Sequence, residues 1–243
     1  MPGTLDSRRI FITGVSRGIG RATARLFLAE GASILGCARD EARLGATRAA
    51  LLQEAGGGAQ VTDRFDAFPL DLARPDAPAR AAERIAARWG ALDVLINNAA
   101  IMTEGPATLD DEPEGTLERT LEVNLLAPYR LARALIPLLR AGREPRIVHL
   151  TSGAGTFAAL AESGISSYRL SKWALNGLVR LQAEQLRGAV AVNGLDPGWV
   201  KTDLGGPRAP GVPEDSARGA LALVREPFAT TGKLWKDGRQ IEF

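Results

Sequence analysis

Short β-type runs alternate with helical runs along almost the whole chain, and that alternation leaves few folds open. "RIFIT" (Arg9 to Thr13) reads as a buried strand, and "GIGRATARLFLAEG" (Gly18 to Gly31) as a helix closed by glycine. "SILGCAR" (Ser33 to Arg39) is the next strand and Glu41–Ala55 the next helix. "FDAFPLDL", ending at Leu72, is a third strand weakened by Pro69, and a helix over Asp76–Trp89 follows. The pattern continues with strand Leu92–Asn97, a long helix from about Thr116 to Arg140, strand Arg146–Ser152, helix Ser163–Arg187 and strand Ala189–Asp196. Pro137 should kink or shorten its helix. "GKLWKDG" can supply a last edge strand. Strands that alternate with helices predict an α/β fold: a parallel, doubly wound sheet with helices on both faces. At 243 residues the expected organisation is one domain over 1–243, large enough to bury a core without staples.

Composition excludes several function classes. A single cysteine, Cys37, rules out an internal disulfide framework, and a single histidine, His149, rules out a histidine-rich metal site. His149 lies between Val148 and Leu150 and reads as strand packing. The formal net charge is +2, with arginines scattered mostly beside acids, so a nucleic-acid partner is not expected. No stretch reaches the roughly 18 apolar residues of a spanning helix, and a cytoplasmic protein with no membrane partner is expected.

Two local features carry chemistry. "TGVSRGIG" (Thr13 to Gly20) sits at the first strand-to-helix junction, where glycines let backbone approach a pyrophosphate and helix N–H groups face the anion. Its spacing, G-x-x-x-G-x-G, is one residue longer than the common dinucleotide fingerprint. "SYRLSKWALN" (Ser167 to Asn176) sets Tyr168 and Lys172 four residues apart, neighbours on one helical stripe. Alone, such a pair reads first as a half-buried helix whose tyrosine packs and whose lysine reaches solvent along its stem.

Together, "TGVSRGIG", "NNAA" (Asn97 to Ala100), Asn124 in "VNLLAPY", "TSGAG" (Thr151 to Gly155), "YRLSK" (Tyr168 to Lys172) and "DPGWVKTD" (Asp196 to Asp203) resemble the short-chain dehydrogenase/reductase family, in its order and close to its spacing. The resemblance implies that Tyr168 donates the proton in carbonyl reduction and that Lys172 holds the nicotinamide ribose. It implies that Ser152 bonds the substrate carbonyl and that Asn124 holds a water linking Lys172 to solvent. On the residues themselves, Asn124 reads rather as a group satisfying backbone at a helix distortion. Around the cofactor the resemblance implies Gly14, Ser16, Arg17, Gly18, Ile19 and Gly20 at the pyrophosphate and adenosine ribose. It adds Asp71 and Leu72 at the adenine, Asn98 and Ala99 at the ribose, and Pro197, Gly198, Val200 and Thr202 at the nicotinamide carboxamide. Two departures stand out: Ala100 replaces the family's usual glycine, and the 152–168 interval is longer, so Gly155 occupies the usual serine distance and Ser152 is chosen by its "TSGAG" context. Ser163, Ser166 and Ser167 are expected to cap the following helix.

A phenol near pKa ~10 needs a shift of about three units to work near neutrality. Lys172 and an oxidised nicotinamide would favour the phenolate. NAD-dependent folds place an acid at the end of the second strand. That position is Ala38 here, followed by Arg39, and with Arg17 it points to NADP(H); Asp40 reads as the cap of the next helix. The expected function is NADPH-dependent reduction of a small ketone or aldehyde, the alternative a non-catalytic nucleotide-binding regulatory protein. A homo-oligomer through the 116–140 and 163–187 helices is possible within the family. The substrate pocket should lie between Gly155–Ser166 and the loop after Asp203. That loop, read as lacking regular structure from about Asp203 to Ala217, is expected to close over the nicotinamide side.

Overall fold

The computed structural model describes residues 4–54, 63–102, 108 and 110–243. Eight strands form one sheet in the order β3-β2-β1-β4-β5-β6-β7-β8. They are β1 (Arg9–Thr13), β2 (Ser33–Ala38), β3 (Phe65–Pro69), β4 (Val94–Asn97), β5 (Arg146–Leu150), β6 (Ala191–Leu195), β7 (Leu234–Lys236) and β8 (Arg239–Ile241). The first seven run parallel and β8 returns antiparallel to β7. The helices are α1 (Gly18–Ala29), α2 (Glu41–Glu54), α3 (Ala77–Trp89), α4 (Thr116–Leu121), α5 (Ala127–Arg140), α6 (Ser166–Gln185) and α7 (Pro213–Arg225). The doubly wound α/β fold expected from the alternation is the one observed.

Strand side chains alternate faces, so one strand feeds two cores. Ile10, Ile12 and Ile34 pack with Phe27, Leu28 and Val224 on one side, where α1 and α7 lie. Phe11, Leu35 and Cys37 pack with Ile85, Leu131 and Leu135 on the other, against α3 and α5. Each such fully buried side chain contributes on the order of 1.5–3 kcal/mol. With every strand of the parallel set pointing the same way, the turns after β1 to β6 all open at one edge, where ligands bind in open α/β sheets.

Four expectations are corrected. The 116–140 helix is not continuous: α4 gives way to a π-helical turn, Glu122–Leu126, before α5 begins. Pro128 in the first turn of α5 has no N–H to donate to the Asn124 carbonyl four residues back, which breaks the regular ladder there. Pro137 is carried inside α5, which ends three residues later at Arg140. The proline-rich stretch after Asp203 is not all loop, because Pro213 opens α7, with Glu214 and Asp215 in its first turn. The start of α6 is not capped by a serine either: Ile165 holds the cap position at φ 51° without a side-chain bond, and Ser167 instead bonds the Glu112 carboxylate.

The last edge strand is a hairpin rather than a single strand, turned by Asp237 and Gly238, both at positive φ. The end of α2 expected at Ala55 lies outside the described residues.

Candidate active site

The turn after β1 is built to bring two backbones together. Gly14 (φ 74°) and Gly18 (φ 53°) hold left-handed conformations that a side chain would strain. A Cβ on Gly20 would sit 2.2 Å from the Gly14 carbonyl oxygen, so only glycine fits there. Across the turn, Asn98 Nδ2 donates to the Thr13 carbonyl at 2.7 Å, and the Asn98 and Ala99 N–H groups both donate to Thr13 Oγ1 at 3.0 Å. Ser16 accepts from Thr47 of α2 at 3.0 Å through its carbonyl, and Ile19 packs on the core. Arg17 precedes α1 as an extended, exposed residue that places no side-chain acceptor on the first N–H groups, and the first turn holds no acid. That combination fits a dinucleotide pyrophosphate, which would supply the missing acceptors.

Beyond β2, Arg39 is exposed, and Asp40 caps α2 through Oδ1, which accepts from the Arg43 N–H at 2.9 Å. Arg17 is paired with Asp203, and Arg43 lies 3.8 Å from the same carboxylate. Asp71 and Leu72 follow β3 two strands away from β1, with Asp71 Oδ1 turned back onto the Ala73 N–H at 3.1 Å. Ala100 is absent from the residues at positive φ, so its methyl costs no backbone strain.

After β6, Pro197 accepts from Ser216 of α7 at 3.0 Å, Gly198 is at φ 75°, and Val200 is buried. Thr202 Oγ1 accepts from the Gly205 N–H at 3.1 Å, and its methyl lies 3.1 Å from the Cβ position of Gly18. The post-β6 loop and the glycine turn thus meet directly.

The Tyr168–Lys172 pair stands on α6 opposite the end of β5. Lys172 is 3% exposed, donates from Nζ to the Leu150 carbonyl at 2.7 Å, and lies 5.5 Å from the centre of the Tyr168 ring. Burial pushes its ammonium down to about 8, against which the charge of Asp196 pulls up. Burial pushes the Tyr168 phenol up to about 12, opposed by a hydrogen bond with the Ser152 side chain and reinforced by the Asp196 carboxylate. The expected lowering of the phenol is therefore not a property of the chain alone: without a bound cation above it, the Tyr168 phenol stays protonated at neutral pH.

Ser152 Oγ also accepts from the Ala154 N–H at 3.1 Å. Gly155 cannot be its substitute, because a Cβ there would fall 2.5 Å from the Lys172 backbone; its absence lets α6 approach the turn.

Asn124 behaves as a group satisfying backbone at a helix distortion. Its Oδ1 accepts from the Ile101 N–H at 2.9 Å, and Nδ2 donates to the Ile101 carbonyl at 2.9 Å and to Ser171 Oγ at 3.0 Å. Its side chain is thus fully engaged, while Pro128 withholds the usual helical donor from its main-chain carbonyl.

Contacts that sequence reading passed over are Ser171, which also donates to the Tyr168 carbonyl at 2.7 Å, and Thr13, Asp196 and Lys236. Ser171, inside the quoted Tyr-x-x-Ser-Lys run, was signalled by its position one turn from Tyr168; Lys236 had no such signal.

His149 is fully buried, as its apolar neighbours implied, with Nε2 2.9 Å from Gln182 Oε1 and Nδ1 3.3 Å from Asn97 Nδ2. Burial pushes its pKa down to about 4. The unfolded chain takes up that proton below about 6.5. The native state therefore loses stability as pH falls from about 6.5 towards 4, by up to ~3 kcal/mol. Because the chain has one histidine, its imidazole proton resonances should show a neutral ring down to about pH 5. Titration near 6.5 in the folded protein would contradict this account.

Known proteins bear the same stamp. The family model for short chain dehydrogenases matches residues 8–212. The chain is 44% identical over 137 residues to the C-signal protein of Myxococcus xanthus, covering 56% of this chain and 81% of that protein. It is 33% identical over 210 residues to the short chain dehydrogenase mpl6 of Monascus purpureus, covering 86% and 69%. The NADPH-bound carbonyl reductase from chicken fatty liver superposes with a TM-score of 0.87 at 26% identity, covering 98% of this chain and all of that one. No described helix is long and apolar enough to cross a membrane. With the glycine turn, the Tyr168–Lys172 pair and the sheet order all in the family's arrangement, this chain belongs to the short chain dehydrogenases.

Proposed function

We propose that the protein is an NADPH-dependent carbonyl reductase, reducing a ketone or aldehyde to an alcohol. The observation that carries this reading is the Ser152–Tyr168–Lys172 cluster at the end of β5, where the buried Lys172 ammonium bonds the Leu150 carbonyl 5.5 Å from the Tyr168 ring and burial pushes the phenol up to about 12. Such a phenol is protonated at neutral pH and can give its proton to a developing alkoxide, while Ser152 donates a hydrogen bond to the same oxygen. NADPH, when bound, supplies the hydride. Lys172, held by the Leu150 carbonyl, orients the nicotinamide ribose and lends its charge to the phenolate left behind. Proton resupply would run through a water held at Asn124, where the π turn interrupts the regular helix. The NADPH-bound carbonyl reductase among the structural relatives supports the same cofactor and reaction.

Gly14, Ser16, Gly18, Ile19 and Gly20 with the first turn of α1 would hold the pyrophosphate. Arg17 and Arg39 would hold the 2′-phosphate, Asp71 and Leu72 the adenine, Asn98 and Ala99 the ribose. Pro197, Gly198, Val200 and Thr202 would hold the carboxamide. Phe157 and Trp199 stand exposed on the two segments flanking the cluster, and Trp199 is fixed by an Nε1 bond to the Gly205 carbonyl at 2.7 Å, which favours substrates with an apolar or aromatic arm. Leu117, Leu126 and Tyr129 along the 116–140 segment and Leu170, Trp173 and Leu181 on α6 are also exposed, which supports a homo-oligomer through these helices.

The test is direct. Purified protein with NADPH and a panel of activated aromatic ketones and aldehydes should oxidise the cofactor. Binding of NADPH without turnover across the panel would overturn the reading.

A further inference from the structure

Asp196 is a carboxylate with no direct part in the proton transfer, yet it is 3% exposed at the centre of the site. Its place follows from the sheet. β5 and β6 pair Leu150 with Leu195, so the residues after them, Thr151–Ser152–Gly153 and Asp196, leave the edge side by side. The contact is close: a Cβ on Gly153 would fall 2.8 Å from Asp196 Oδ2, which explains a glycine directly after Ser152. Oδ1 accepts from the Gly198 N–H at 3.0 Å, while Oδ2 lies 3.1 Å from Lys236 Nζ on β7. That lysine comes from the strand paired with β6, whose Trp235 carbonyl accepts from the Asp196 N–H at 2.8 Å.

A buried carboxylate is stable as an anion only where cations or donors surround it. Lys236 from β7 lies 3.1 Å from Asp196, and Lys172 from α6 reaches the neighbouring strand end, where its Nζ bonds the carbonyl of Leu150, the partner of Leu195; Tyr168 stands beside Lys172 on the same helix, and His149 lies deeper on β5.

We propose that Asp196, clamped by Lys236, is a positioning residue of the catalytic pair, the buried counter-ion that keeps Lys172 an ammonium and Tyr168 a phenol. This deepens the reductase reading, on which only its kinetic consequence rests. Lys172 has one hydrogen-bond acceptor among the described residues, the Leu150 carbonyl, and burial works against its charge. Asp196 is the group that opposes that loss, and the same anion disfavours ionisation of the phenol. Lys236, partly exposed on the edge hairpin, shares the carboxylate and so dilutes its pull on Lys172.

The two partners should therefore act in opposite directions, which a merely structural role would not produce. The chain has four lysines, Lys172, Lys201, Lys233 and Lys236, so protein labelled with [ε-13C]lysine gives a spectrum in which Lys172 can be assigned and titrated without any substrate. Asp196→Asn keeps an acceptor for the Gly198 N–H and removes the charge; the Lys172 midpoint should fall by at least about half a unit. Lys236→Met keeps the apolar stem and should raise it. An unmoved Lys172 midpoint in both variants overturns the proposal, and if Asp196→Asn does not fold, an unmoved or lowered midpoint in Lys236→Met does so alone. The basic limb of the kcat/KM profile for carbonyl reduction should move in the same two directions. Shifted lysine midpoints in a protein that reduces no carbonyl would leave the electrostatic role standing and remove the reductase reading.

Discussion

Tyr168→Phe is expected to bind NADPH as the unmodified protein does and to lose ~10²- to 10⁴-fold in kcat, the usual contribution of a positioned general acid. The ring survives the change, so its packing 5.5 Å from the Lys172 ammonium is kept, and only the hydroxyl that bonds Ser152 is lost. The two roles then separate in one measurement. Cofactor affinity, read by quenching of tryptophan fluorescence, should stay within a few-fold, while single-turnover hydride transfer collapses. A variant retaining more than about a tenth of the rate, a loss under ~1.4 kcal/mol, would show that the acid lies elsewhere. Ser152→Ala should slow the same step without restoring anything at neutral pH, since its hydrogen bond is what partly offsets the burial of the phenol.

The second large effect is cofactor choice. NADPH should be preferred over NADH by at least about a hundredfold in kcat/KM, ~2.7 kcal/mol. At the end of β2 the acid that would bond a ribose 2′-hydroxyl is replaced by Ala38, and Arg39 stands exposed beside it. Asp40, the one acid close in sequence, is committed to capping α2. Arg43 lies 3.8 Å from Asp203, which also pairs with Arg17, so two guanidinium groups share one exposed carboxylate. A 2′-phosphate with two negative charges competes well with one solvent-exposed carboxylate. Ala38→Asp with Arg39→Ala should reverse most of the preference, replacing attraction to the phosphate by repulsion. Similar kcat/KM for the two cofactors in the unmodified protein would falsify the assignment.

Much of the architecture was legible because it is local. The first, second, fourth, fifth and sixth strands were bounded to within two residues, since a buried parallel strand is a short apolar run between turn signals. The π turn at Glu122–Leu126 was not legible from a helical period, which cannot distinguish a five-residue turn from a four-residue one; Pro128 was the available sign. The helix at Pro213 was missed because proline was read as a breaker, whereas at a first helical position it starts a helix.

By itself the sequence determined the strand–helix order, the glycine turn, the Tyr168–Lys172 stripe and the missing acid after β2, all set by residue type and spacing within one or two elements. Only the tertiary structure decided that Asp203 meets Arg17 across 186 positions, that Asn124 is spent on Ile101 and Ser171, and that Lys236 reaches Asp196. Nor could spacing say which way the phenol's pKa moves, up to about 12. The reason is physical. Backbone periodicity is a property of neighbouring residues, but burial and charge at a site are set by which strand ends the sheet order brings together, and β5, β6 and β7 lie side by side only once the sheet has formed.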